Sequence, residues 1–291
     1  MNKIQSFSKT DLEGQIKLIE LSLGKYTAPF SIPNFTPINN FSNWEDFYLH
    51  NAKIVADLIT KQELSHAQTS LYPCAVTDIN DDTWIDLENR TFFDGSIGIC
   101  LFLAHLYEVS PNKKKRVDLK LSLRKILESE VNGWRSQYGG IEGVGGILYA
   151  LSTLNKLWPE CYWLEENANK CIKVIERQVN QTQSLDVISG LSGNLISLIC
   201  CYESFKKDSS LTAADKVAIK IQEMLSIDEG AASKHINKYG IAHGIEGVYF
   251  ALNRYKQIEG KANKIKINVP SSLILHDTSG VSGLAAWCNG Q

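Results

Sequence analysis

The sequence predicts an all-α protein, an α/α toroid in which a barrel of inner helices is ringed by outer ones, incomplete in this chain. Three observations predict it. A short pattern, Gly-x-x-Gly followed by an apolar stretch, recurs four times along the 291 residues. The stretches that follow it are apolar nearly all round, which marks helices buried on most sides. The stretches between them carry an apolar stripe and a charged face, as helices of an outer layer do. An open helical-repeat solenoid is the competing architecture, and inner helices buried on both sides favour the closed barrel.

The repeats run in order as "DGSIGICLFLAHLY" from Asp94, "EGVGGILYALSTL" from Glu142, "SGLSGNLISLICCY" from Ser189 and "HGIEGVYFALNRY" from His243. Their first glycines, Gly95, Gly143, Gly190 and Gly244, are 48, 47 and 54 residues apart. The closing "NGQ" supplies Gly290, 46 residues beyond Gly244, and reads as the opening of a fifth unit. Periods of this size are the mark of a repeat architecture. Glycines at a helix entrance permit positive φ and close backbone approach. Apolar residues then recur at helical spacing: Ile99, Leu103 and Leu106; Ile147, Leu151 and Leu154; Val248, Leu252 and Tyr255. Phe102, Leu148 and Phe250 extend the apolar surface off that stripe. The intervening "DLKLSLRKILESEV", "CYWLEENANKCIKVIERQV" and "AADKVAIKIQEMLS" supply the outer helices. All the glycine turns then fall at one end of the barrel, where loop residues converge on a central site.

Composition narrows the function. At 44% hydrophobic the chain buries a large core, as one large domain or two ordinary ones. A net charge of −2 and a pI near 6.3 argue against a nucleic-acid or membrane-surface partner held by charge. The one basic cluster, Lys113 to Arg116, follows Pro111-Asn112 and reads as a solvated loop or a helix start. No apolar run approaches the ~18 to 20 residues that span a bilayer. The N-terminus lacks the apolar core of a signal peptide. The seven cysteines are odd in number and unpatterned, as expected for reduced thiols in a cytoplasm.

If the turns converge, so do the residues before their first glycines: Asp94, Glu142, Ser189, His243 and Asn289. Capping accounts for Asp94, Ser189 and Asn289, since Asp, Ser and Asn are preferred N-caps. His243 is a poorer cap and stands as a candidate acid, base or ligand, against the structural role of most lone histidines. Asp186, in "LDVISGLSG", sits among Leu, Val and Ile, an odd setting for a solvated carboxylate. Cys288 lies beside the fifth entrance with Trp287; most such cysteines are inert core residues.

The stretches "DVISGLSG", "GIAHGIEG" and "SGLAAWCNG" resemble the lanthionine synthetase C-like family over essentially the whole chain. "FSKTDLEGQIKLIELSL" and "FFDGSIGICLFLAHLY" look more like the class II, LanM-type synthetases, in which a cyclase domain follows a dehydratase domain. On that resemblance residues 1–75 are a helical junction like the end of the dehydratase region, and residues 76–291 a partial cyclase domain. It implies a zinc-dependent cyclase, in which a cysteine of a precursor peptide (leader plus dehydrated core) adds to dehydroalanine or dehydrobutyrine and closes a thioether ring. It matches Cys288 to the first zinc ligand, and His243 and Asp186 to the family's acid–base pair. Zinc converts a thiol into a thiolate, and the enolate left by addition needs a proton.

The family's two remaining zinc ligands form a Cys-His pair in the next repeat. This sequence contains no Cys-His dipeptide, and His235 and His276 lie outside the motifs. The expectation is therefore a truncated and inactive form that binds Zn2+ weakly or not at all, or one piece of an enzyme completed by another synthetase fragment. Two other readings compete. One is a non-catalytic helical-toroid module that binds peptide. The other is a glycan-processing toroid with Asp94 and Glu142 as its two carboxylates, a chemistry in which the Trp-Cys pair has no part.

Overall fold

The computed structural model describes residues 40–66, 69–72, 74–77, 83–86, 90–128, 139–226 and 240–258, together with Ile16 and Pro37. The fold is all-α, with inner and outer helices of the kind predicted for an α/α toroid. Two short hairpins are the only strands among the described residues. The chain divides into two compact units, residues 1–90 with 94–129, and residues 91–93 with 130–291.

The first unit opens on helix α1 (Trp44–Gln62). Asn43 caps it, its side chain accepting from the Asp46 amide at 2.8 Å, and Glu45 and Asp46 place negative charge on the first turn. Two antiparallel hairpins follow. Strand β1 (Leu64–His66) pairs with β2 (Thr69–Leu71), Leu64 opposite Leu71. Strand β3 (Cys74–Thr77) pairs with β4 (Thr83–Asp86), Cys74 opposite Asp86. Helix α2 (Ser96–Val109) buries Ile97, Cys100, Leu103 and Ala104. Helix α3 (Lys113–Glu128) begins at Asn112, whose side chain accepts from the Lys115 amide at 3.1 Å. The basic cluster is thus a helix start. Helix α2 packs on α1 and α3, and α3 on β2.

The second unit is a two-layered helical body. Helices α4 (Val144–Leu157), α6 (Leu191–Phe205) and α8 (Ile245–Lys256) pack side by side as the inner layer. Helices α5 (Tyr162–Gln178) and α7 (Asp208–Ser226) form the outer layer, packed on each other and on the inner helices that precede them. The inner layer buries Leu148, Leu151, Leu195, Leu198, Val248 and Leu252. Outer helix α5 turns Trp163, Leu164, Cys171 and Ile172 inward, and α7 turns Ala213, Ala214, Val217 and Ile221 inward. Polar ties reinforce the layers: Tyr255 donates to Asp215 at 2.7 Å between α8 and α7, and Lys216 pairs with Glu176 at 2.7 Å between α7 and α5.

Three details differ from expectation. Phe250 on α8 is 47% exposed and Phe102 half-buried, so the inner helices are not apolar contacts all round. The four first glycines are themselves the N-caps, and their φ values, −105° to −121°, are extended rather than positive. Positive φ falls upstream instead, at Gly140 (68°) and Gly240 (106°). The residue before each first glycine is therefore one position too early to cap its helix.

Candidate active site

Each glycine turn of the second unit lies against the next through its backbone. The amides of Ile141 and Glu142 donate to the carbonyls of Val187 and Ile188 at 3.1 and 3.0 Å. The amides of Val187 and Ile188 donate in turn to the Ala242 carbonyl at 3.1 and 3.3 Å. Three successive helix entrances thus sit at one end of this unit. The approach is close because no side chain intervenes: a Cβ on Gly140 would collide with the Ile188 carbonyl, and one on Gly193 with the Val187 carbonyl and the Gly140 Cα. Asn194 closes the clamp, accepting from the Gly140 amide at 2.9 Å.

This clamp brings together residues far apart in sequence. His243 Nδ1 lies 3.0 Å from Asp186 Oδ2. A carboxylate only accepts, so Nδ1 carries the hydrogen and donates it. Nε2 is then the ring nitrogen left for chemistry, a base when the ring is neutral and an acid when it is protonated. Asp186 is held from its other side: the Ser189 amide donates to Oδ1 at 2.7 Å. Its side chain is 16% exposed, whereas that of His243 is 43% exposed. A fixed, mostly covered carboxylate thus orients a solvent-reachable imidazole.

Ser189 adds a further link, its hydroxyl donating to Glu142 Oε2 at 3.1 Å. Glu142, Ser189 and His243 are the residues that precede three successive first glycines, and all three belong to this one hydrogen-bonded chain. Ser189 serves as a link rather than as the expected cap. Asp94 belongs to the other compact unit. The link between Glu142 and Ser189 was not legible in the sequence, since it depends on turn register across 47 residues. Asn194 did leave a signal, a lone amide beside the second glycine of an otherwise apolar helix start.

Cys288, Asn289, His235 and His276 lie outside the described residues. Among the described residues no group of three His, Cys, Asp or Glu is placed to hold a metal ion. Cys100, Cys161, Cys171 and Cys201 are buried and Cys200 is half-buried, and none of these five forms a disulfide. Burial pushes the Cys171 thiol well above its ordinary range and that of Cys201 up to about 12. Such thiols stay protonated and act as small apolar core groups. No helix among the described residues is long and apolar enough to cross a membrane.

No curated protein sequence matches the chain. The family model described as lanthionine synthetase C-like protein matches residues 87–291, the greater part of the chain, including all four Gly-x-x-Gly entrances and the Asp186–His243 pair. The chain therefore belongs to the lanthionine synthetase C-like family, whose members are in general lanthipeptide-related cyclases that bind zinc and act on peptides.

Proposed function

We propose that this chain serves thioether ring formation in a lanthipeptide, as a class II cyclase region with Asp186 and His243 as its proton-handling pair. The observation that carries the reading is the 3.0 Å contact between His243 Nδ1 and Asp186 Oδ2, made between two consecutive helix entrances. In the reaction a peptide cysteine thiol gives up its proton to solvent, and its sulfur bonds to Cβ of a dehydroalanine or dehydrobutyrine. The Cα=Cβ electron pair moves onto Cα and its carbonyl as an enolate, and a proton is delivered to Cα. His243 Nε2 is the donor in this reading, and the protonated ring is steadied by the Asp186 carboxylate. Residues 1–75 remain a junction to a dehydratase-like region and residues 76–291 the cyclase region.

Zinc, when bound, supplies the acidity that makes the attacking thiol a thiolate. Cys288 is the one residue matched to a ligand, whereas catalytic zinc sites use three protein ligands. A single such ligand holds zinc weakly, so in this reading ring closure also needs a Cys-His pair, which a synthetase fragment can supply. The test is to measure zinc per molecule and the loss of peptide thiols on a dehydrated precursor, with and without such a fragment. Thiol loss is expected only with the fragment, and His243→Ala in that mixture should slow it by about 10²- to 10⁴-fold. Unchanged rates in the His243 variant would sink the assigned role. Peptide binding without thiol loss in either mixture would favour a non-catalytic binding module.

A further inference from the structure

We infer that Glu142 is a positioning residue for the imidazole of His243, acting through Ser189 and Asp186. The inference rests on the proposed acid–base role of His243, and it adds a carboxylate from a third helix entrance. The chain of contacts is continuous. Glu142 Oε2 accepts from the Ser189 hydroxyl at 3.1 Å. The amide of the same Ser189 donates to Asp186 Oδ1 at 2.7 Å. Asp186 Oδ2 then meets His243 Nδ1 at 3.0 Å.

Two groups on Ser189 therefore do different work. Its amide belongs to the turn and is present whatever the side chain. Its hydroxyl fixes where that turn sits relative to the preceding entrance. Backbone bonds join this turn to the entrances on either side, Glu142 to Ile188 and Ile188 to Ala242, and the Asn194 side chain adds a bond to the Gly140 amide. These set the separation of the turns, and among the described residues the bond from Ser189 to Glu142 is the side-chain tie between the 186–189 loop and the preceding entrance. Glu142 itself is exposed, so its carboxylate is not needed to fill the core. A surface acid that bonds across repeats to the loop holding Asp186 is placed to orient the reacting pair.

The discriminating variants are Ser189→Ala and Glu142→Ala, which cut the link, and Glu142→Gln, which keeps an acceptor oxygen. The first readout needs no activity: the ring-proton NMR resonances of His243 in the full chain, assigned by their disappearance in His243→Ala. Cutting the link should shift and broaden them, and Glu142→Gln should restore them toward the parent positions. The second readout is ring formation in the complemented mixture, where a mispositioned proton donor should lower kcat by about 10- to 100-fold with KM little changed. His243 resonances unaltered in both alanine variants would overturn the inference. If they move as expected but His243→Ala cyclises at the parent rate, the positioning stands and the proposed function fails.

Discussion

The hydroxyl of Ser189 and the carboxylate of Asp186 show how little separates a structural residue from a working one. Ser189 has the chemistry of an N-cap, but its side chain is spent on Glu142 because Gly190 already occupies the cap position. Asp186 was legible as a candidate because a carboxylate beside Leu, Val and Ile needs a partner. Its partner was legible only as a residue type, since the 3.0 Å contact arises from turn register. The buried cysteines give a prediction at this scale. Folding raises the Cys201 thiol from 9.0 to about 12, so the folded state resists ionisation while the unfolded chain does not. Its contribution is whole below the unfolded value and is lost as pH rises from 9 toward 12. Thermal melts across that range should fall, and they should fall less steeply in Cys201→Ala than in the parent. Alkylation of the native protein near neutral pH should spare Cys100, Cys161, Cys171 and Cys201, because each is buried.

Helices behaved largely as their periodicity requires, and the exceptions are instructive. Leu148 lies off the predicted stripe yet is fully buried, whereas Phe250 lies off the equivalent stripe and is 47% exposed. Helix α4 is covered by α5 and α6, and apolar sequence alone does not say which faces receive a neighbour. Leu148→Ala should accordingly cost about 2–5 kcal/mol, and Phe250→Ser should stay within about 0.5 kcal/mol; chemical denaturation of the two variants separates them. The turns offer a sharper test. Gly140 combines a φ of 68° with a Cβ path blocked by the Ile188 carbonyl. Gly140→Ala should therefore lose about 1–3 kcal/mol from the backbone conformation alone, and a melting curve would show it. Hairpins β1–β2 and β3–β4 were not legible in the sequence, since strands of three or four residues are too short to display an alternating pattern.

Across the whole molecule the repeat was visible, but the grouping of its members was not. The first repeat belongs to the family by sequence, since the match begins at residue 87. By contact, its helices α2 and α3 belong with α1 and the β1–β2 hairpin. Short strands upstream of a repeat leave no periodic trace, so this grouping by contact was not legible in the sequence. Two compact units imply that unfolding is not all-or-none. Calorimetry should give an unfolding enthalpy larger than the one derived from the transition's steepness, or two resolved transitions; a single two-state melt would contradict the division.

The clamp between glycine turns bears on how such a chain tolerates change. The interval from Gly190 to Gly244 is seven residues longer than that from Gly143 to Gly190. Yet the same position, the carbonyl two residues before the first glycine, receives the preceding turn's amide at Ile188 and again at Ala242. Extra length inserted between turns leaves their alignment intact, because alignment is written in backbone contacts rather than in helix length or side-chain identity. Helices of such a protein are free to drift in composition and connections to lengthen, provided a few glycines keep neighbouring entrances in step. A library that randomises the outer helices should therefore retain the Asp186–His243 pair far more often than one that adds a single methyl group at Gly140 or Gly193.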